Sequence, residues 1–214
     1  DVCSSHLAKL AIAGLLLWYV FEALETHEIW AHVAGSNPVY LALALVSIII
    51  ATYISSLRLG IYLGMDRRVA TPLYYSGMLF NTVLPGGISG DGFIAFNLKK
   101  SHDISYKRSV QILLLNRANG LFFLNLLFFA FLFVSEYMKF PYAFAATAGL
   151  LILQMPVYFF ISRKFLGENW VLFGKTAPYS FALQILSVSS ALFVFLSLGV
   201  DTHLVEYICQ FMAS

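Results

Sequence analysis

An arginine stands where the chain is otherwise almost wholly apolar. Arg117 follows Leu113-Leu114-Leu115 and precedes Leu121-Phe122-Phe123-Leu124, with Asn116, Asn119 and Gly120 around it. An Arg at the centre of a membrane-spanning segment costs about 2.5–3.5 kcal/mol on insertion scales, so such a residue faces a bundle interior or a wet cavity and has a partner. Its guanidinium can hold an anion or serve a proton-linked site. It can also snorkel to the nearer interface, about two turns away. A second stretch is unusual for its backbone. Asn81-Thr82-Val83-Leu84-Pro85-Gly86-Gly87-Ile88-Ser89-Gly90-Asp91-Gly92 interrupts an apolar run with four glycines and a proline. Pro85 lacks an amide donor, and the glycines permit close backbone approach. Non-helical backbone at membrane depth is tolerated only where protein buries it or it lines a wet cavity. With Asp91 as cap and Gly92 opening the next helix, free amides at the helix start would favour an anion such as a lipid phosphate. An ordinary loop between two amphipathic helices is the alternative. Asp91 is also the candidate ion-pair partner of Arg117, in which case both are structural.

The elements that must position these residues follow from composition. The chain has 214 residues, 60% hydrophobic and 11% charged, with a mean hydropathy of +0.80. Soluble domains carry roughly 25% charged residues, so this chain cannot cover a soluble surface. The apolar runs are continuous rather than alternating, which selects helices over a barrel. We expect an all-α polytopic membrane bundle, a single domain over 1–214, with about five spans near 7–24, 39–63, 110–134, 142–161 and 177–198. The tail from His203 is too short to cross. The chain starts with Asp1 rather than Met, and an upstream segment is expected to have been removed.

Basic residues set the orientation. Lys9, Arg58, Arg67, Arg68, Lys99, Lys100, Lys107, Arg108, Arg163, Lys164 and Lys175 fall on one side if the segment 73–98 enters the membrane and returns to the side it left. Glu25, Glu28, Glu136, Asp201 and Glu206 then fall on the other, with Lys139. This predicts a re-entrant helical hairpin over 73–98, a cytoplasmic amino terminus and a cell (inner or plasma) membrane location.

Other features read as packing. Ser56, Gly60 and Gly64 are small residues at i,i+4 spacing. Ser180, Gln184 and Ser187 form a polar stripe suited to interhelical hydrogen bonds, and Gln154-Met155-Pro156 predicts a kink. Cys3 and Cys209 are expected near opposite faces and cannot pair. His6, His27, His32, His102 and His203 are scattered, so no metal and no cofactor is expected. There is no Walker, Gly-x-Ser-x-Gly or Cys-x-x-Cys motif, and no basic arm for nucleic acid.

The run from Tyr74 through the Pro85–Asp91 cluster to Lys99-Lys100, followed by Asn116-Arg117-Ala118-Asn119-Gly120-Leu121, resembles the flippase-like membrane domain of the lysylphosphatidylglycerol synthetase family in its stand-alone form. The matching features are Asn81, Leu84-Pro85, Ser89-Gly90-Asp91, Lys99-Lys100 and Arg117-x-x-Gly-Leu. The likeness is best over about 39–129. Two departures stand out. Many relatives carry a basic residue three positions after the acidic one, where this chain has Ile94. Family membrane domains also usually run longer, so a short variant or a truncated form is expected. The resemblance implies lipid translocation, of a phospholipid or aminoacyl-phospholipid, without covalent chemistry. Asn81, Pro85, Gly86, Gly87, Gly90, Asp91, Asn116, Arg117 and Gly120 would bind substrate. Lys99, Lys100, Lys107 and Arg108 would attract anionic phospholipid. A membrane-bound transferase on a lipid-linked substrate, with Asp91 as base, and a non-catalytic membrane subunit are the alternatives. A homo-oligomer or a membrane partner protein is left open.

Overall fold

The computed structural model describes residues 34–83, 89–135, 139, 142–167, 170–200 and 202–213. The expected first span (7–24) and Cys3 lie outside the described residues, as do Pro85, Gly86 and Gly87 in the hairpin turn. All regular structure among the described residues is helical: α1 Pro38–Leu63, α2 Arg67–Val83, α3 Ser89–His102, α4 Tyr106–Leu132, α5 Ala143–Ile161, α6 Trp170–Ser197 and α7 Leu204–Ala213. A π-turn, Ser162–Leu166, extends α5.

Local chemistry explains the main boundaries. Asn37 caps α1, its Oδ1 accepting from the Val39 amide at 3.0 Å, and Pro38 occupies the first turn, where its missing donor is harmless. The helix stops at Gly64, which takes a left-handed φ of 66° and donates to the carbonyls of Gly60 and Ile61. The small-residue stripe therefore splits. A Cβ on Gly60 would sit 3.1 Å from the Ala70 Cβ, and Ser56 Oγ lies 3.0 Å from Thr71 Oγ1, so these two pack α1 on α2. Nothing lies near Gly64, whose role is to end the helix. The final long helix starts at Trp170, seven residues before the expected 177, because the apolar run Val171-Leu172-Phe173 carries the helix through Pro178.

Four helices among the described residues are long and apolar enough to cross a membrane: Pro38–Leu63, Tyr106–Leu132, Ala143–Lys164 and Val171–Ser197. The hairpin limbs are shorter. With 14 residues, α3 is about 21 Å long at 1.5 Å per residue, against a hydrocarbon core of about 30 Å. The limbs run antiparallel, with Phe80 stacked on Phe93 at 4.2 Å between ring centroids. Glycine makes their close approach possible. A Cβ on Gly90 would stand 1.9 Å from the Gly77 carbonyl oxygen, so any side chain there would force the limbs apart.

The bundle is apolar outside and polar within. Leu45, Ile49, Leu79, Ile152 and Phe160 are exposed, while Arg58, Asn116, Asn119, Thr176, Ser180 and Gln184 are buried. This polarity suits a lipid solvent, in which helices associate through packing and interhelical hydrogen bonds rather than hydrophobic exclusion. The helices α1 and α6 lie antiparallel, from Asn37 N on Ser197 O at one end to Tyr62 beside Thr176 at the other. Three clusters share α4. Ile112 and Leu115 meet α1 and the hairpin; Phe122 and Phe123 meet Tyr158 and Phe173; Leu124 and Phe128 meet Val188 and Ile208. Helix α7 packs against α4 and α6, burying Cys209 as a free thiol.

Candidate functional site

Where the hairpin meets α1 and α4, the packing leaves a cavity of about 270 Å³. Its walls carry polar groups from every neighbouring element. The hairpin supplies Tyr74, Asn81 and Asp91, α1 supplies Arg58, and α4 supplies Asn116, Arg117 and Gly120. Gly77, Met78 and Ile94 complete it.

Arg117 and Asp91 form an ion pair, Nε to Oδ2 at 2.6 Å. The Arg side chain is 51% exposed and the Asp 22%. The pair thus closes one side of the cavity while remaining open to exchange. Asp91 does not cap the returning helix. That helix begins at Ser89, which places Asp91 in its first turn and turned toward α4. A negative group there also suits the positive end of the helix dipole. The amide at this helix start is used within the hairpin: Gly90 N donates to Asn81 Oδ1 at 2.7 Å, and Ser89 Oγ donates to the Phe80 carbonyl at 3.0 Å. Asn81 therefore ties the two limbs together beside the cavity, and Gly90 serves their close crossing.

The neighbouring residue of α4 faces inward. Asn116 Oδ1 accepts from Arg58 Nε at 2.8 Å, and Arg58 Nη1 donates to Ser180 Oγ at 2.9 Å. Arg58 is 5% exposed and has no ion pair among the described residues. Gly120 lies beside it: a Cβ there would meet both Nη atoms of Arg58 at 3.6 Å, ordinary van der Waals contact. Gln184 Nε2 donates to the Gly120 carbonyl at 2.9 Å. One turn deeper, Asn119 Nδ2 donates to Tyr62 Oη at 2.6 Å and Thr176 Oγ1 at 2.9 Å. Ser180 and Gln184 thus make the interhelical bonds expected of the polar stripe, while Ser187 lines a separate apolar groove with Ile48 and Phe211.

A sequence profile described as "Lysylphosphatidylglycerol synthase TM region" matches residues 6–214. The chain belongs to this family. No curated protein and no solved structure shows significant similarity to it. Membership extends the resemblance seen over 39–129 to nearly the whole chain and makes this a multi-pass membrane protein of the family.

Of the residues singled out in the sequence, the structure gathers Asn81, Asp91, Asn116, Arg117 and Gly120 around one cavity. The basic residues lie away from it. Lys99 pairs with Asp103 at 2.6 Å, Lys100 lies over the Phe96 ring at 5.9 Å, and Lys107 and Arg108 are exposed at the start of α4. Arg58 was missed as a site residue, because it was counted only among the basic residues that mark one side of the membrane. The signal was present: the apolar run continues through Leu59, Ile61 and Leu63, leaving Arg58 inside the helix. Ile94, the position at which the family resemblance led to the expectation of a cation, lines the same cavity that Arg58 enters from α1.

Proposed function

We propose that this protein moves a phospholipid between membrane leaflets, with the head group passing through the cavity between the hairpin and α4. The observation carrying the reading is a polar chamber with two arginines and one carboxylate, set within a bundle whose outer surface is apolar. A charged head group needs such a chamber, because an ionised group is otherwise expensive within hydrocarbon. Family membership supports the same reading. In this scheme the hairpin dips from the cytoplasmic leaflet of the cell membrane. Lys99, Lys100, Lys107 and Arg108 concentrate anionic lipid there, at about 1 kcal/mol per basic residue near the surface. Arg117 receives the head group as Asp91 gives way.

The test is a reconstituted-vesicle assay following a fluorescent phospholipid from one leaflet to the other. Arg117→Ala and Asp91→Ala each reduce movement to that of protein-free vesicles, while both variants remain folded in the membrane. Wild-type rates in both would remove the site from the mechanism.

A further inference from the structure

We infer that Arg58 is the anion anchor of this cavity and that its ligand is a phosphodiester bearing a single negative charge. The inference deepens the translocation reading, and it is tested by binding rather than by movement.

Three observations carry it. The first is an unpaired buried charge. Arg58 is 5% exposed, and no carboxylate pairs with it among the described residues. A guanidinium does not escape burial by losing its proton in proteins, so its charge persists. Removing such an ion from water is expensive unless a counter-ion and hydrogen bonds compensate. The second is spare donor capacity. A guanidinium has five N–H donors; Nε serves Asn116 and Nη1 serves Ser180, leaving three. The fork is held rigidly by those two bonds beside the open volume, the arrangement that favours recognition of a two-oxygen anion. The third is the charge inventory of the walls. Arg58 and Arg117 contribute two positive charges and Asp91 one negative; the other polar liners, Tyr74, Asn81 and Asn116, are uncharged amide or phenol side chains. One monoanion brings the chamber to neutrality. A phosphomonoester dianion overshoots, and a free ammonium meets, among the described residues, no carboxylate except the one held by Arg117. The volume of about 270 Å³ lies just below the roughly 300–1,000 Å³ of small-molecule pockets and suits a phosphate with a small polar substituent.

A phosphodiester can arrive as a lipid head group or as a small soluble ester, and the experiment separates them. The full chain in detergent micelles is titrated with short-chain phosphatidylglycerol, dimethyl phosphate or inorganic phosphate while its thermal unfolding is followed. The wild type gains saturable protection from the lipid. Arg58→Lys binds it about 10- to 100-fold more weakly, the loss expected for charge-assisted hydrogen bonds from the fork. Arg58→Met loses the protection altogether; its ligand-free stability also falls, because Asn116 Oδ1 and Ser180 Oγ lose a buried donor. A purely structural Arg58 would lower stability with affinity retained. If Arg58→Met does not fold, the Lys variant decides. Equal protection by dimethyl phosphate assigns the site to a soluble ester: the anchor stands and the translocation reading fails. Lipid protection without movement in vesicles likewise defeats translocation alone. The inference is overturned if the wild type responds to neither phosphodiester, if inorganic phosphate protects best, or if Arg58→Lys keeps wild-type affinity.

Discussion

Replacing Asp91 by Asn keeps the shape of the side chain and removes its charge, so it tests whether the Arg117–Asp91 contact competes with an incoming anion. The Nε–Oδ2 distance is 2.6 Å. At about 4 Å between charge centres and an effective dielectric near 20, the Coulomb attraction is about 4 kcal/mol. Arg117 is half exposed, so solvent screening reduces this to about 0.2–1 kcal/mol. A monoanion entering the cavity must displace that attraction in the wild type and need not in the variant. Asp91→Asn should therefore bind short-chain phosphatidylglycerol more tightly, by up to about fivefold. It should also move lipid more slowly in vesicles, because the Asp91 carboxylate no longer reclaims Arg117 to expel the head group. Affinity is read from ligand-dependent thermal unfolding in micelles, and movement from leaflet exchange of a fluorescent lipid. Unchanged or weaker affinity in Asp91→Asn would show that the pair only braces the hairpin.

Further outcomes bear on the frame. Gly90→Ala should destabilise the protein by about 1–3 kcal/mol, the usual range for overpacking a tight contact, and Cys pairs engineered across α2 and α3 should crosslink less readily in that background. Asn119→Ala should lower stability by about 1–2 kcal/mol in bicelle unfolding, since Tyr62 and Thr176 lose a buried donor, while phosphodiester affinity is retained. The Lys99 hydrogen bond and charge lower the Asp103 pKa, and Asp103 raises that of Lys99 by the same two causes. The contribution of this contact is present above the unfolded carboxylate value and is lost as pH falls through the lowered folded one. At the alkaline end it persists until pH rises through the raised value of Lys99. Hydrogen exchange at the end of α3 should therefore show an acid-side loss of protection that Asp103→Asn abolishes, with no step near neutrality.

Hydropathy alone made the spans legible, because an apolar run of twenty residues has few other uses. The boundaries at Asn37-Pro38 and Gly64 were legible for the same local reasons that form them. The pairing of two short helices could be read from the proline and glycines that break the apolar run, and the Arg117–Asp91 pairing from two charges in otherwise apolar surroundings. Arg58 was not recovered, because a basic residue near a span's end looks the same whether it reaches out to the headgroups or in to Asn116 and Ser180. Only the rotation of α1 against α4 and α6 distinguishes these, and rotation is set by tertiary packing. Gly90 was taken for a loop residue near a ligand. Its partner, the Gly77 carbonyl, lies across the hairpin, where sequence spacing gives no hint of contact.

The crossing of Gly77 and Gly90 also fixes how the hairpin can move. With main chain lying on main chain there, and with Phe80 stacked on Phe93 and Asn81 bonded to the Gly90 amide beside the crossing, neither limb slides along the other. Their joint with the remaining helices is different in kind: Leu73, Ile94, Ala95 and Leu98 bury against Leu59, Ile112 and Leu115, flanked by a pair of hydroxyls at Ser56 and Thr71, a glycine against an alanine at Gly60 and Ala70, and one ion pair. Any motion of the hairpin against the bundle therefore carries both limbs together and has to unpack that apolar seam.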